Sequence, residues 1–178
     1  SFSRRQRQMC IRDRIKKMQE RQASILNEAW NARQPNLPIN TKQEALILAS
    51  IIEKETSLKT ERGKVSSVFV NRLLREIALQ TDASVVYGIT RGKKVLGRGL
   101  RRSELKKDTP WNTYVNKGLP PSPIGNPGKA SIHAALNPDI TNYLYFVADG
   151  SGGHAFAENL REHNINVAKW RKIEKTDN

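Results

Sequence analysis

Cysteine is almost missing from the chain: Cys10 is the only one in 178 residues. An intramolecular disulfide and a zinc site built on several cysteines are both excluded. Long apolar runs are missing too. No stretch approaches the ~18 residues of a membrane-crossing helix, and no signal-peptide hydrophobic region is visible. If the parent protein is exported or anchored, its targeting segment lies outside these residues. Acidic residues are scarce, with 17 Asp and Glu against 31 Lys and Arg, giving a formal net charge of +14. That excess favours a polyanionic partner: nucleic acid, anionic lipid headgroups or an acidic cell-wall polymer. It does not choose among them. The sequence contains no phosphate-binding P-loop, no dinucleotide fingerprint and no nucleophile elbow. His133, His154 and His163 show no metal-ligand spacing, so no metal or cofactor is expected. What is present, 37% hydrophobic and 27% charged residues, suits one domain with a modest core.

Residues 1–14, SFSRRQRQMCIRDR, are dense in arginine where the remainder favours lysine, and they show no periodicity. They read as a foreign tract, like translated adapter sequence at the end of a gene truncated upstream; a native basic arm is the alternative. The domain proper is then 15–178. Ile15, Met18, Ile25, Leu26, Ala29 and Trp30 recur at helical spacing before QPNLPIN breaks the pattern. Thr41 and Glu44 form a capping box that opens a helix to about Ser57. A second helix is expected from near Glu61 to Ile77. LQTDASVVYG, residues 79–88, reads as a brief extended piece and a helical turn. Arg91 to Lys107 holds eight basic residues, one acid and three glycines, which suits a solvated loop or hairpin. Residues 110–128 are too rich in proline and glycine for regular structure and too aromatic for a disordered linker. A short helix ending at Pro138, strands in YLYFVAD and HAFA around a glycine turn, and a last helix capped by Asn159 and Glu162 complete the chain. Helices first, then mixed pieces and a hairpin, predict a single α+β domain with a loop-rich central cleft segment.

Within ILASIIEKETS, residues 47–57, two glutamates interrupt the most apolar segment. Residues two apart on a helix point about 200° apart, so Glu53 and Glu55 cannot share one environment. Glu55 continues the stripe of Leu48, Ile51 and Ile52, whereas Glu53 follows Leu46, Ala49 and Ser50. Glu55 is therefore the more desolvated, and desolvation raises a carboxyl pKa toward that of a general acid. The plainer alternative is a surface Glu55 paired with Lys59. Asp82, beside Gln80 and Thr81, could bind substrate hydroxyls or close an Asx-type turn. Trp111, Asn112, Thr113 and Tyr114 gather amide, hydroxyl and aromatic groups that suit sugar faces, as many surface loops do.

EALILASIIEKET, ERGKVSSVFVNRL, LQTDASVVYG, WNTYVNKGLPPSPIGNPG and YLYFVADGSGGHAF, in this order, resemble the catalytic domain of the MltG/YceG-like endolytic peptidoglycan transglycosylases. The likeness covers about residues 15–170. It departs from the family pattern at Trp111, where Tyr is usual, and at Ser122, where Gly is usual. The resemblance implies a lyase that cleaves the β-1,4 bond between N-acetylmuramic acid and N-acetylglucosamine in nascent glycan strands, leaving a 1,6-anhydro end. It places the catalytic carboxyl on Glu55, the second glutamate of the E-K-E-T motif. It marks Gln80, Asp82, Tyr87, Asn112 and Tyr114 as motif positions, our candidates for the substrate cleft. It also implies a membrane anchor and a LysM-like domain upstream, an extracytoplasmic catalytic domain, and company with the cell-wall synthesis machinery. The rival reading is a non-catalytic basic module that uses residues 91–107 on an anionic polymer such as RNA. Few aromatics, 6%, and no nucleic-acid signature weigh against it.

Overall fold

The computed structural model describes the backbone of residues 4–176 and the side chains of residues 10–175. Residues 1–3 of the arginine-dense tract, and its side chains up to residue 9, lie outside the described residues. Seven helices and one two-stranded antiparallel sheet make an α+β fold among them.

Helix α1 (Arg4–Asn31) begins well before the expected start at residue 15. Its second half supplies Leu26 and Ala29 to the core, while residues 10–21 are exposed. Helix α2 (Lys42–Glu55) has the capping box in place: Glu44 N–H donates to Thr41 Oγ1 at 3.1 Å, and Thr41 N–H donates back to Glu44 Oε2 at 3.2 Å. It carries a buried face of Leu48, Ile51 and Ile52, each contributing roughly 1.5–3 kcal/mol on burial. Helix α6 (Lys129–Leu136) lies against α1, α2 and α3, so Ile132 and Leu136 fill the centre.

Helix α3 (Arg62–Leu74) stops short of the expected Ile77 for a local reason. Glu76 takes a left-handed φ of 54°, Glu76 N–H donates to Leu73 O, and Ile77 N–H donates to Arg72 O at 2.8 Å. This is the Schellman closure of a helix, made here without glycine. The expected extended piece ends at Thr81, whose backbone is extended, and the expected helical turn is a full helix, α4 (Asp82–Thr90), ended by Arg91 at φ 53°. The basic tract, expected as a loop or hairpin, contains the short helix α5 (Arg102–Lys106). Its lone acid organises it: Glu104 takes both guanidinium nitrogens of Arg98, at 2.9 and 2.6 Å, and the N–H of Arg101.

Strands β1 (Tyr145–Ala148) and β2 (His154–Ala157) pair Tyr145 with Ala157 and Ala148 with His154. Helix α7 (Leu160–Thr176) follows, with Glu162 N–H donating to Asn159 Oδ1 as expected. A lone hairpin is marginal in water. Here α3 holds it through Arg72 Nε to Leu144 O at 2.6 Å, Asn71 Nδ2 to Tyr143 O at 3.0 Å, and an edge contact of Phe69 with Phe146. The 110–128 loop is tied to α2, where Ile124 N–H donates to Ser50 Oγ at 2.9 Å. The end of α2, the start of α4, the loop and the hairpin thereby meet around one hollow.

Candidate active site

Glu55 is the last residue of α2, at the carbonyl end of the helix dipole, where a negative charge is unfavourable. Its carboxyl is half-buried, and the Thr81 hydroxyl donates to Oε1. Burial pushes its pKa up most; the Thr81 hydrogen bond opposes this, Asp82 adds to it, and His154 pulls it down. The net direction is upward. Glu53 sits in the opposite situation. Its Oε2 accepts from Ser131 Oγ at 2.5 Å and from Gly128 N–H at 3.1 Å, so it is tied to the start of α6. Those hydrogen bonds, the Ser131 one foremost, lower its pKa. The two glutamates are thus separated in environment as the helix geometry predicts. No ion pair joins Glu55 to Lys59 among the described residues.

In front of Glu55 lies a cleft of about 210 Å³. Thr81, Asp82 and Gln80 come from the start of α4, Arg72 and Phe69 from α3, Phe146 from β1, and Tyr114 from the loop. Thr81 precedes α4 but does not cap it with its side chain, because its hydroxyl is turned to Glu55. Gln80 has a left-handed φ of 54°, a strained geometry for a residue with a side chain. Two anchors hold it: its N–H donates to Thr113 O at 3.0 Å, and its Oε1 accepts from Arg72 Nη1 at 3.2 Å. Asp82 Oδ1 accepts from the Tyr114 hydroxyl at 2.6 Å. Burial, and then that bond, hold the Tyr114 phenol well above its usual pKa, so it remains a donor. The cleft therefore presents one carboxyl biased toward its protonated form, a second carboxylate engaged by a tyrosine, and a buried guanidinium.

Of the candidates named from sequence, Glu55, Gln80, Asp82 and Tyr114 share this cleft. Asn112 does not line it. It is fully buried, its amide donates to Leu105 O and Lys107 O at 3.0 and 2.7 Å, and its Oδ1 accepts from Tyr114 N–H. It shapes the loop that presents Tyr114. Tyr87 lies on the far flank of α4, beside Trp111 at 5.9 Å between ring centres. Thr81 is named from sequence only as a member of the polar cluster around Asp82, and Arg72, Phe69 and Phe146 are not named as site residues. Phe69 and Arg72 sit in α3 and look like core and surface positions of a helix. The histidines are dispersed: His154 pairs with Glu61 at 2.8 Å, His163 stacks on Tyr145, and His133 sits in α6. Among the described residues, no cluster of three metal-ligating side chains forms.

The YceG-like family profile matches residues 4–169. The chain belongs to the YceG-like family. It is 45% identical over 126 residues to an endolytic murein transglycosylase of Bacillus subtilis, covering 70% of this chain and 34% of that protein. To an endolytic murein transglycosylase of Streptococcus pneumoniae it is 36% identical over 140 residues, covering 75% of this chain and 24% of that protein. A crystal structure of a yceG-like protein from Listeria monocytogenes matches 70% of this chain and 38% of its own at 41% identity, with a TM-score of 0.62. The chain thus spans about a quarter to a third of the curated relatives it matches. Trp111 and Ser122, the two positions read from sequence as unusual, are in contact. Trp111 Nε1–H donates to Ser122 Oγ at 3.1 Å, so each residue gives the other a partner. The Trp111 face is covered by the Arg91 guanidinium, 3.5 Å from the ring centre.

Proposed function

We propose that this YceG-like domain is an endolytic murein transglycosylase that breaks the β-1,4 bond between N-acetylmuramic acid and N-acetylglucosamine within peptidoglycan strands. The observation that carries the reading is Glu55: a carboxyl whose burial favours its protonated form, facing a cleft that also holds donors for sugar hydroxyls. The relatives' names support it. Glu55 gives its proton to the glycosidic oxygen as the bond from the muramic acid C1 breaks. The C6 hydroxyl oxygen of the same sugar then bonds to C1, and its proton returns to Glu55. One carboxyl serves as acid and then as base. The attack gains from proximity because both groups belong to one ring. The leaving strand departs with the glycosidic oxygen as a new hydroxyl and the other strand ends in a 1,6-anhydro ring, so the step needs no water and no cofactor.

Asp82, held by Tyr114, and the Gln80 amide group are placed to accept and donate hydrogen bonds to the sugar. In this reading the domain works on the extracytoplasmic side of the cytoplasmic membrane, tethered there by a segment outside this chain, and trims strands made by the cell-wall synthesis machinery. Nucleic acid has no place in it. Incubating the protein with purified peptidoglycan and analysing the products by mass spectrometry tests the reading. Anhydro-muropeptides are expected, and they should vanish with Glu55→Gln. Intact strands with the wild type, or tight binding without cleavage, would overturn it.

A further inference from the structure

A second groove, of about 510 Å³, lies beside the cleft. Ala83, Val86, Tyr87 and Ile124 give it an apolar lining, and Lys54, Lys93 and Lys94 give it a cationic one. The two hollows are neighbours in a specific sense. Lys54 immediately precedes Glu55 on the last turn of α2, and Ala83 immediately follows Asp82 on the first turn of α4. Successive helical residues diverge by about 100°. Each helix end therefore turns one residue to the cleft and the next to the groove.

All three lysines are exposed, and none is in an ion pair among the described residues. Lys93 and Lys94 follow Arg91, whose left-handed backbone ends α4 and turns the chain, and whose guanidinium is spent on Trp111. At this turn Lys93 and Lys94 are thus the cations that line the groove. Apolar lining with unpaired ammonium groups complements a chain of small aliphatic side chains bearing carboxylates.

We propose that this groove binds the acidic stem peptide carried by the glycan, a claim that rests on the peptidoglycan reading of the cleft. The peptide hangs from the lactyl group on C3 of muramic acid, the sugar whose C1 must sit beside Glu55. It therefore leaves the cleft within one sugar's width of the breaking bond. Lys54, which lines the groove, adjoins Glu55 on the last turn of α2. An anionic bilayer is the competing occupant of a basic face, but it needs no groove and gains nothing from apolar side chains recessed beside lysines.

The test compares glycan strands carrying stem peptides with strands stripped of them by an amidase. The wild-type protein should cleave peptide-bearing strands with the higher kcat/KM. Lys93→Glu with Lys94→Glu should lower that preference by roughly tenfold, the size expected for losing and reversing two exposed charge contacts. The loss should appear in KM. Equal wild-type rates on both substrates would overturn the proposal, as would a variant that slows both equally. So would a variant that only loses sedimentation with phosphatidylglycerol vesicles while keeping its preference. Calorimetric titration with a free stem tetrapeptide separates the two readings. If the protein binds the peptide and the double variant does not, the groove stands even should no strand be cleaved. If the protein does not bind it, the groove proposal falls while the cleft reading is untouched.

Discussion

Thr81 belongs to a residue type that ordinarily caps the helix it precedes, yet its hydroxyl donates to Glu55 and leaves the first turn of α4 without that bond. The hydrogen bond favours the ionised carboxylate and so works against burial, which favours the proton. Thr81→Val keeps the shape and removes the donor. Glu55 should then hold its proton to higher pH, and the alkaline limb of the pH–rate profile should move upward; an unmoved limb would show that another group sets it. The same imbalance has a stability consequence. Well below the ordinary carboxyl range, Glu55 is protonated in both folded and unfolded states and costs nothing. As pH rises through its elevated folded pKa, the protein must bury a charge, and stability is lost. Glu55→Gln should abolish cleavage, leave the fold intact, and melt at or above the wild-type temperature at neutral pH, with the gap closing in acid. Glu53 has the opposite sign. Its lowered pKa adds stability above the ordinary carboxyl range, lost as pH falls through the folded value. Glu53→Gln should keep much of the activity yet cost about 0.5–1.5 kcal/mol at neutral pH, the net worth of a weakened hydrogen bond. Loss of activity in the reverse order would move the catalytic role to Glu53.

At the level of elements, α1 divides into two parts. Leu26 and Ala29 dock it on the core, whereas every described side chain from residue 10 to 21 is exposed. Removing residues 1–14 should therefore shift the melting temperature by no more than about 2 °C, the scale of a neutral surface change, and leave cleavage unaltered. A drop of several degrees would show that the tract packs as part of the domain. Elements whose signals are local could be read from sequence: the Thr41–Glu44 box, the glycine turn between the strands, and the Asn159–Glu162 cap. The full length of helix α4 could not, because Gln80, Thr81 and Asp82 are turn formers in isolation. The Gln80 side chain is committed to Arg72, and the Thr81 hydroxyl and N–H are committed to Glu55 and Thr113, 26 and 32 positions away. The burial of Glu55 was legible because it follows from the period of one helix. The hidden half of the cleft was not, since Arg72 reaches the hairpin across 72 positions of sequence. Asn112 and Tyr87 show the converse: residue type reveals that a side chain can bind a sugar, and only the fold shows where it faces.

For the molecule as a whole, the decisive question is whether water takes part in the reaction. A hydrolase needs a second carboxyl, either about 5 Å from the acid as a nucleophile or about 6.5–9.5 Å away to seat a water. Among the described residues Asp82 is the only other carboxylate lining the cleft, and it is close enough to Glu55 to raise its pKa. Its Oδ1, however, is occupied by the Tyr114 hydroxyl at 2.6 Å. A carboxylate accepting so short a bond is a poorer nucleophile and base, because that proton must be displaced first. The Tyr114 backbone is itself fixed through Asn112, so the tyrosine has little freedom to withdraw. On the proposed reading Asp82 positions the sugar while the muramic acid supplies its own nucleophile. In water enriched with heavy oxygen, the new ends should carry the 1,6-anhydro ring and no label. Asp82→Asn should slow cleavage less than Glu55→Gln does, with the ends still anhydro. Reducing ends carrying the heavy oxygen would mean that Asp82 seats a water. The cleft would then be a hydrolase site, even with Glu55 indispensable.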